Sequence, residues 1–247
     1  MSKNLNPGGL TFRQGLRDGI PICLGYISVS FAFGVFATAY GVSIWESILL
    51  SLTNVTSAGQ LAAVPIIAAS GSFLELAASQ FVINLRYMLM STSLSQKMDK
   101  KMTIAGRLAV AFAVTDETFG VASQKGTLTR NYMLGLELLP VVGWAAGTGL
   151  GAAAGYLLPE VVVTALGIAI YGMFIAIIIP PAKKSRAVLL CIVMAAGLSC
   201  IFHYVPYLNR VSGGFVIIIV SVLTAALFAC LFPVKEDNGG EEDKDGD

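Results

Sequence analysis

Charged residues are scarce in this sequence, and their scarcity excludes an ordinary soluble domain. Of the 247 residues, 13% are charged and 55% are hydrophobic, whereas about 25% of the residues in a typical soluble domain are charged. The charges cluster near residues 3–18, 97–107, 116–130, 183–186 and 235–247, with long uncharged stretches between them. Uncharged apolar stretches of about 20 residues are long enough to cross a bilayer as helices. The composition therefore predicts an all-α, polytopic integral membrane protein built as a helical bundle.

The residue patterns of common enzymes and metal sites are missing as well. There is one histidine, His203, and none of the four cysteines has CxxC spacing, so neither a zinc site nor a disulfide framework is indicated. The sequence also lacks the phosphate-binding pattern GxxxxGK[ST], the nucleophile motif GxSxG and the zinc motif HExxH. We therefore expect no enzymatic activity, no cofactor, no metal and no nucleic-acid partner. An intramembrane enzyme that uses Asp116 and Glu117 ranks last among the hypotheses, because no nucleophile accompanies the two carboxyl groups.

The apolar stretches divide the chain into eight segments, at about residues 19–40, 47–69, 73–93, 108–122, 132–158, 161–179, 187–202 and 213–232. We expect residues 1–18 to form a cytoplasmic N-terminal arm, residues 19–232 a transmembrane transporter domain, and residues 233–247 a disordered acidic tail. Residues 19–41 resemble residues 138–156 in the placement of a proline and of several glycines. This similarity is one indication of an internal duplication.

The basic loop at residues 95–107 conflicts with eight simple crossings. Lysine and arginine in short loops favour the cytoplasmic side, and the arm and the basic residues at 125–130 and 183–186 fit there. Eight crossings would place residues 95–107 outside. Cytoplasmic placement requires residues 47–93 to cross once and residues 108–122 to enter the membrane and return. The working count is about eight transmembrane helices, with seven as the alternative and at least one helix broken.

Residues 52–61, LTNVTSAGQL, place polar groups in the middle of the second apolar segment. Five polar side chains and one glycine fall within eight positions, at Thr53, Asn54, Thr56, Ser57, Gly59 and Gln60. Irregular backbone at membrane depth occurs where it lines a cavity, and many transporters build substrate sites from such breaks. The alternative is that these side chains only bond across helices or to nearby carbonyl groups. We predict a broken helix in which these six residues bind substrate.

Further polar residues lie at membrane depth in the third and fourth segments. Asn84 and Arg86 are predicted to contribute to the substrate site, with Arg86 either reaching the membrane interface or pairing with Glu75, Asp116, Glu117 or a substrate carboxylate. Asp116 and Glu117 are candidates for proton coupling, or else mark a helix end at the water boundary. Because neighbouring helical residues point about 100° apart, these two carboxyl groups cannot face one partner.

Five short motifs together resemble the AzlC family, the larger subunits of bacterial branched-chain amino acid exporters. They are FRQGLRDGIP at 12–21, SAGQ at 57–60, NLRY at 84–87, TDETF at 115–119 and GWAAGT at 143–148. The resemblance extends over about residues 10–232. It implies export of leucine, isoleucine, valine or analogues, a bacterial cell membrane location, and a small membrane partner of the AzlD type. The leading hypothesis is a secondary exporter of such amino acids driven by the proton motive force, and the alternative is a non-transporting assembly subunit.

Overall fold

The chain folds into helices only, as the composition predicts. A computed structural model describes residues 10–232, within which no named strand occurs. The helices are α1 (Phe12–Ala39), α2 (Ile44–Thr53), α3 (Ser57–Ala68), α4 (Phe73–Ser95), α5 (Ile104–Ala111), α6 (Asp116–Ser123), α7 (Arg130–Gly155), α8 (Glu160–Lys184), α9 (Arg186–Tyr204) and α10 (Gly213–Leu231), with a short 3₁₀ turn at Leu208–Arg210.

All eight apolar segments are helical, and two of them are broken into pairs, α2–α3 and α5–α6. By length and composition, α1, α7, α9 and α10 are suited to cross a membrane. The second half of the predicted N-terminal arm belongs to α1. The first nine residues of the arm and the acidic tail from residue 233 onward lie outside the described residues.

Helices α1 and α7 form the centre of the bundle and run in the same direction. Their backbones touch through glycines, because a Cβ added at Gly15 would overlap the Tyr132 carbonyl, and one added at Gly135 would overlap the Phe12 carbonyl. Further along, a Cβ at Gly34 would overlap the backbone of Thr148, Gly151 and Ala152. Small residues allow this close approach between membrane helices. Facing positions are thus separated by 114 residues (Gly34 and Thr148) to 123 residues (Phe12 and Gly135), which is the arrangement an internal duplication would give.

The first hairpin, α2–α3, enters the bundle and returns to the end from which it came. At about 15 Å and 18 Å, its two helices are each too short to span a hydrocarbon core of about 30 Å. Ser51 bonds Thr148 near the end of α7, and Gln60 bonds Trp144 one turn deeper. Helix α3 then leads to the start of α4, where Glu75 accepts from the backbone N–H of Gly214 in the first turn of α10.

The break inside this hairpin is the one predicted from LTNVTSAGQL. Helix α2 ends at Thr53, Asn54 has φ −133° and ψ 79°, and Thr56 caps α3 by accepting from the Gly59 N–H. The prediction of a broken helix is therefore confirmed. Local chemistry explains it, because asparagine and threonine side chains satisfy backbone groups outside helices and at N-caps.

The second hairpin, α5–α6, enters from the opposite end. Each of its helices has eight residues, a length of about 12 Å. Gly106 in α5 lies against Arg130 at the start of α7, and the tip reaches Tyr26 in the middle of α1. After α6 the chain is back at the starting end, where Lys97 donates to the Ser123 carbonyl.

Because both hairpins return to the end from which they entered, the basic loops lie at one end of the bundle. Leu128 donates to the Lys97 carbonyl, Lys125 pairs with Asp18 near the start of α1, and Thr129 donates to the Leu10 carbonyl. The loops at 96–103 and 124–129 and the start of α1 therefore share one end of the bundle, which we call the basic end. This is the arrangement that cytoplasmic placement of residues 95–107 requires.

Candidate functional site

A cavity of about 660 Å³ lies where the tips of the two hairpins meet. This volume is within the range of about 300–1,000 Å³ that is usual for small-molecule sites. Its walls come from both tips and from α1, α4, α7 and α8. The lining residues are Pro21, Ile22, Gly25, Tyr26, Val29, Val55, Ser57, Ala58, Arg86, Tyr87, Thr115, Asp116, Glu117, Trp144, Phe174 and Ile178.

Two apolar clusters flank the cavity along the bundle axis. The cluster toward the end opposite the basic end contains Phe33, Phe36 and Val64, and Phe174 of the cavity wall packs against it. The cluster toward the basic end contains residues of the second hairpin and α7, and Ile22 of the wall packs against it. The cavity therefore lies between two packed apolar layers at mid-depth.

The wall formed by the first hairpin has positive character. Ser57 and Ala58 open α3, so their backbone N–H groups belong to a helix N-terminus and have no partner within the helix. Such a terminus carries a partial positive charge, and the first turn of α3 contains no acidic residue. Arg86 adds a full charge beside it, with its guanidinium 4.8 Å above the ring of Tyr87 and bonded to the Tyr87 hydroxyl over 2.9 Å.

The wall formed by the second hairpin carries the carboxyl groups. Thr115 caps α6 through a capping box with Thr118. Asp116 Oδ2 lies 3.0 Å from Arg86 Nη1, and both side chains remain partly exposed, at 46% and 39%. Glu117 Oε2 lies 2.5 Å from the Tyr26 hydroxyl, which is also 2.6 Å from Thr115 Oγ1. The two adjacent carboxyl groups thus have different partners, as their positions on a helix require.

A buried chain of hydrogen bonds holds the first hairpin against α7. Trp144 Nε1 donates to Gln60 Oε1 over 2.7 Å, Gln60 Nε2 donates to Ser51 Oγ over 2.8 Å, and Ser51 lies 2.7 Å from the Thr148 hydroxyl. The Trp144 ring also meets the Tyr26 ring edge-to-face at 5.1 Å. Tyr26 contacts the second hairpin, so this ring pair connects the anchors of the two tips.

A second polar cluster ties the break to α4. Gln80 Oε1 accepts from Asn54 Nδ2 at 3.0 Å and from Asn84 Nδ2 at 3.5 Å, while Gln80 Nε2 donates to the Gly59 carbonyl at 2.9 Å. A Cβ at Gly59 would lie 2.5 Å from Gln80 Oε1. Glycine is therefore needed here for the amide to reach the backbone.

Of the predicted site residues, the structure brings Ser57, Arg86, Asp116 and Glu117 to the cavity wall. The others are not part of the lining: Thr53 is exposed, and the residues that bond around the break are Asn54, Thr56, Gly59, Gln60 and Asn84. Thr53 bonds only the Leu49 carbonyl of its own helix. Among residues 10–232, no three histidine, cysteine, aspartate or glutamate side chains are grouped so that they could hold a metal ion.

Among the wall residues with hydrogen-bonding side chains, the sequence analysis missed four, namely Tyr26, Tyr87, Thr115 and Trp144. Buried tyrosine and tryptophan usually find a partner for their polar atom. An isolated Tyr26 in the middle of a long apolar segment could therefore have indicated a polar partner at membrane depth. Tyr87, Thr115 and Trp144 stand inside motifs that carried the family resemblance, but nothing in their spacing assigned them to one site.

Comparison with known proteins gives a family match and several relatives. A family model described as AzlC protein matches residues 21–158, the part of the chain that contains both hairpins and most of the cavity wall. The inner membrane protein YgaZ of Escherichia coli K12 is 29% identical over 197 residues, which cover 76% of this chain and 80% of that protein. An uncharacterized membrane protein of Archaeoglobus fulgidus is 34% identical over 174 residues, covering 70% of this chain and 76% of its own. No solved structure matches. From the family match and these two relatives, the chain belongs to the AzlC family of membrane proteins.

Proposed function

We propose that this protein is a secondary transporter that exports branched-chain or similar small hydrophobic amino acids. The observation that carries the proposal is the charge pattern of one mid-depth cavity. A helix N-terminus and Arg86 form one wall, and Asp116 and Glu117 form the facing wall. The remaining lining is mainly apolar. An amino acid zwitterion has the complementary pattern.

The α-carboxylate of the substrate binds the first-hairpin wall. Backbone N–H groups of Ser57 and Ala58 and the Arg86 guanidinium supply donors there, as half-helix N-termini do for anionic groups in other transporters. The α-ammonium group binds Asp116. In the structure Arg86 and Asp116 neutralise each other at 3.0 Å. A zwitterion brings one charge for each partner, so both charges stay compensated when Arg86 and Asp116 separate.

The aliphatic side chain of the substrate packs on the apolar lining. Ile22, Val29, Val55 and Phe174 offer hydrocarbon surface and no hydrogen-bonding side chain. Burial of each methylene group there contributes about 0.8 kcal/mol. Leucine, isoleucine and valine therefore bind better than alanine, and a polar side chain would lose its hydrogen bonds to water.

Protons supply the driving force through the second hairpin. Glu117 accepts a hydrogen bond from the Tyr26 hydroxyl, and Asp116 forms an ion pair with Arg86. A change of protonation at either carboxyl group therefore weakens or strengthens a bond that holds the tip of the second hairpin. The protein works as a multi-pass protein of the bacterial cell membrane with its basic end in the cytoplasm. Its partner is a small membrane subunit of the AzlD type, as the family resemblance implies.

Efflux of labelled leucine from loaded cells, with and without this chain and its small partner, tests the proposal. Arg86→Ala should weaken leucine transport about 10- to 100-fold, because a hydrogen bond to a charged group contributes about 1.5–3 kcal/mol. Arg107→Ala is the matched control, since Arg107 bonds the Ser95 carbonyl away from the cavity. Leucine should also compete better than its methyl ester, which lacks the carboxylate.

Three results would count against the proposal or a part of it. Equal leucine efflux with and without the protein would remove the substrate assignment. If purified protein with its partner is not stabilised by leucine, the alternative of a non-transporting assembly subunit is favoured. Retained transport in Arg86→Ala would remove Arg86 from the mechanism.

A further inference from the structure

Glu137, in α7, is a buried carboxyl group that the proposed transport mechanism does not use. The residue is 3% exposed. Both of its carboxyl oxygens are buried, and neither has a hydrogen-bond partner among the described residues. Buried polar side chains normally have partners, so an acidic residue in this state calls for a chemical explanation.

The position of Glu137 on α7 places it between the contacts of the two hairpins. Residues 133, 137, 144 and 148 are spaced by four, seven and four, so they share one face of the helix. On this face Met133 packs in the cluster that contains Val110 and Val114 of the second hairpin. Trp144 and Thr148 bond the first hairpin. Glu137 therefore lies on α7 between the contacts of the two hairpins.

The surroundings contain charged side chains, but none of those described bonds Glu137. The charged and titratable side chains on the helices packed against α7 are Arg13, Arg17, Asp18, Cys23, Tyr26, Glu46, Arg107, Asp116 and Glu117. Asp18 bonds Lys125 and Tyr132, Asp116 pairs with Arg86, and Arg107 bonds a backbone carbonyl. Within residues 10–232, no hydrogen bond or ion pair reaches Glu137.

A carboxylate in such a place is strongly disfavoured. Burying an ionised group without a counter-ion or donors is strongly unfavourable even after the protein relaxes, whereas a neutral carboxylic acid carries only the smaller cost of an unsatisfied polar group. With the hairpins packed as they are here, Glu137 therefore holds its proton. If a hairpin moves away from α7 and admits water, the acid releases that proton to water and the carboxylate becomes hydrated.

We propose that Glu137 is a proton-binding site whose occupancy is set by the packing of the two hairpins on α7, and that it couples proton movement to transport. This inference rests on the proposed transport function. It adds a coupling site about two helical turns from Trp144 at the cavity wall, distinct from the carboxyl groups of the second hairpin.

The test compares wild type, Glu137→Gln, Glu137→Asp and the matched control Glu160→Gln, which changes an exposed carboxyl group in the first turn of α8. The full-length protein with its partner is placed in lipid vesicles. Two transport modes are measured: leucine uptake driven by a pH gradient, and exchange of labelled for unlabelled leucine without a gradient. We expect Glu137→Gln to lose gradient-driven uptake but keep exchange, Glu137→Asp to keep both, and Glu160→Gln to behave as wild type.

An infrared measurement gives a readout that does not depend on transport. The carbonyl band of a protonated carboxylic acid should be present in wild type and Glu160→Gln at neutral pH and lost in Glu137→Gln. An unchanged band in Glu137→Gln overturns the proposal. So does gradient-driven uptake at the wild-type level in that variant, or equal loss of both transport modes in folded protein. If wild type itself transports no leucine, the proposed function fails, and the infrared comparison still decides whether Glu137 holds a proton.

Discussion

Replacing Trp144 by phenylalanine tests whether its indole holds the first hairpin against α7. Trp144 Nε1 donates to Gln60 Oε1 over 2.7 Å, and Gln60 is fully buried. Trp144→Phe leaves the amide oxygen without this donor, and an unsatisfied buried acceptor costs about 1–3 kcal/mol. Gln60→Met instead leaves the indole N–H without an acceptor. It also removes the hydrogen bond from Gln60 to the Ser51 hydroxyl, which keeps its bond to Thr148.

The double variant should be less destabilised than the sum of the single variants, because it leaves neither partner unsatisfied. Hydrogen bonds between membrane helices show interaction energies of about 0.6 kcal/mol on average and about 1.7 kcal/mol at most. Since both groups are buried, we expect a value between about 1 and 1.7 kcal/mol. The volume lost with the indole is common to the single and double variants, so it largely cancels in the cycle.

Equilibrium unfolding in mixed detergent micelles measures the four free energies of unfolding. Trp45→Phe is the matched control, because the Trp45 side chain is on α2 and 79% exposed. We expect little change in the unfolding free energy of that variant. Additive effects of Trp144→Phe and Gln60→Met would refute the claim that the two side chains stabilise the hairpin through their mutual bond.

Three further predictions follow from the packing and from the hairpins. Gly34→Ala should destabilise the fold by about 1–3 kcal/mol, because the added Cβ would overlap the backbone of α7. Gly25→Ala, which has open space around it, should not destabilise the fold. Equal unfolding temperatures for the two variants would contradict this packing. In a variant without native cysteines, Lys100→Cys and Gly126→Cys should react with an impermeant thiol reagent from the same side, and Gly41→Cys from the other. Labelling of the first two from opposite sides would contradict a returning second hairpin. Tyr26→Phe should weaken leucine transport about 10- to 100-fold, because it removes a hydrogen bond to a carboxyl group. Tyr156→Phe should leave transport unchanged, because Tyr156 is exposed at the end of α7. Similar transport by both variants would show that the Tyr26 hydroxyl is not needed for transport.

The sequence was informative where local chemistry decides the structure. The break at Asn54–Thr56 follows from side chains that satisfy backbone groups outside a helix. The side chains and those backbone groups belong to residues close together in the sequence. The separate partners of Asp116 and Glu117 follow from helix geometry alone. The excess of basic residues in the loop at 95–107 pointed to a returning segment, and the structure contains one.

Other features depend on which helices become neighbours, and local patterns do not carry that information. The sequence allowed several acidic residues as partners of Arg86. Only the fold shows that Asp116 is the partner, while Glu75 accepts from the Gly214 N–H at the start of α10. The bond between Ser51 and Thr148 joins positions 97 residues apart. Glu137 lies in a segment whose other residues are ordinary for a membrane helix, so its isolation from any partner emerges only when α7 is packed.

Two opposed hairpins provide an arrangement of charge that one broken helix cannot. A single break presents one helix N-terminus and one C-terminus, whose partial charges are opposite. Here α3 and α6 both begin at the cavity, so both present positive ends. Helix α6 reverses its sign locally with Asp116 and Glu117 in the first turn, while α3 has no acidic residue there and lies beside Arg86. Side chains, rather than backbone direction, therefore divide the cavity into a positive and a negative wall.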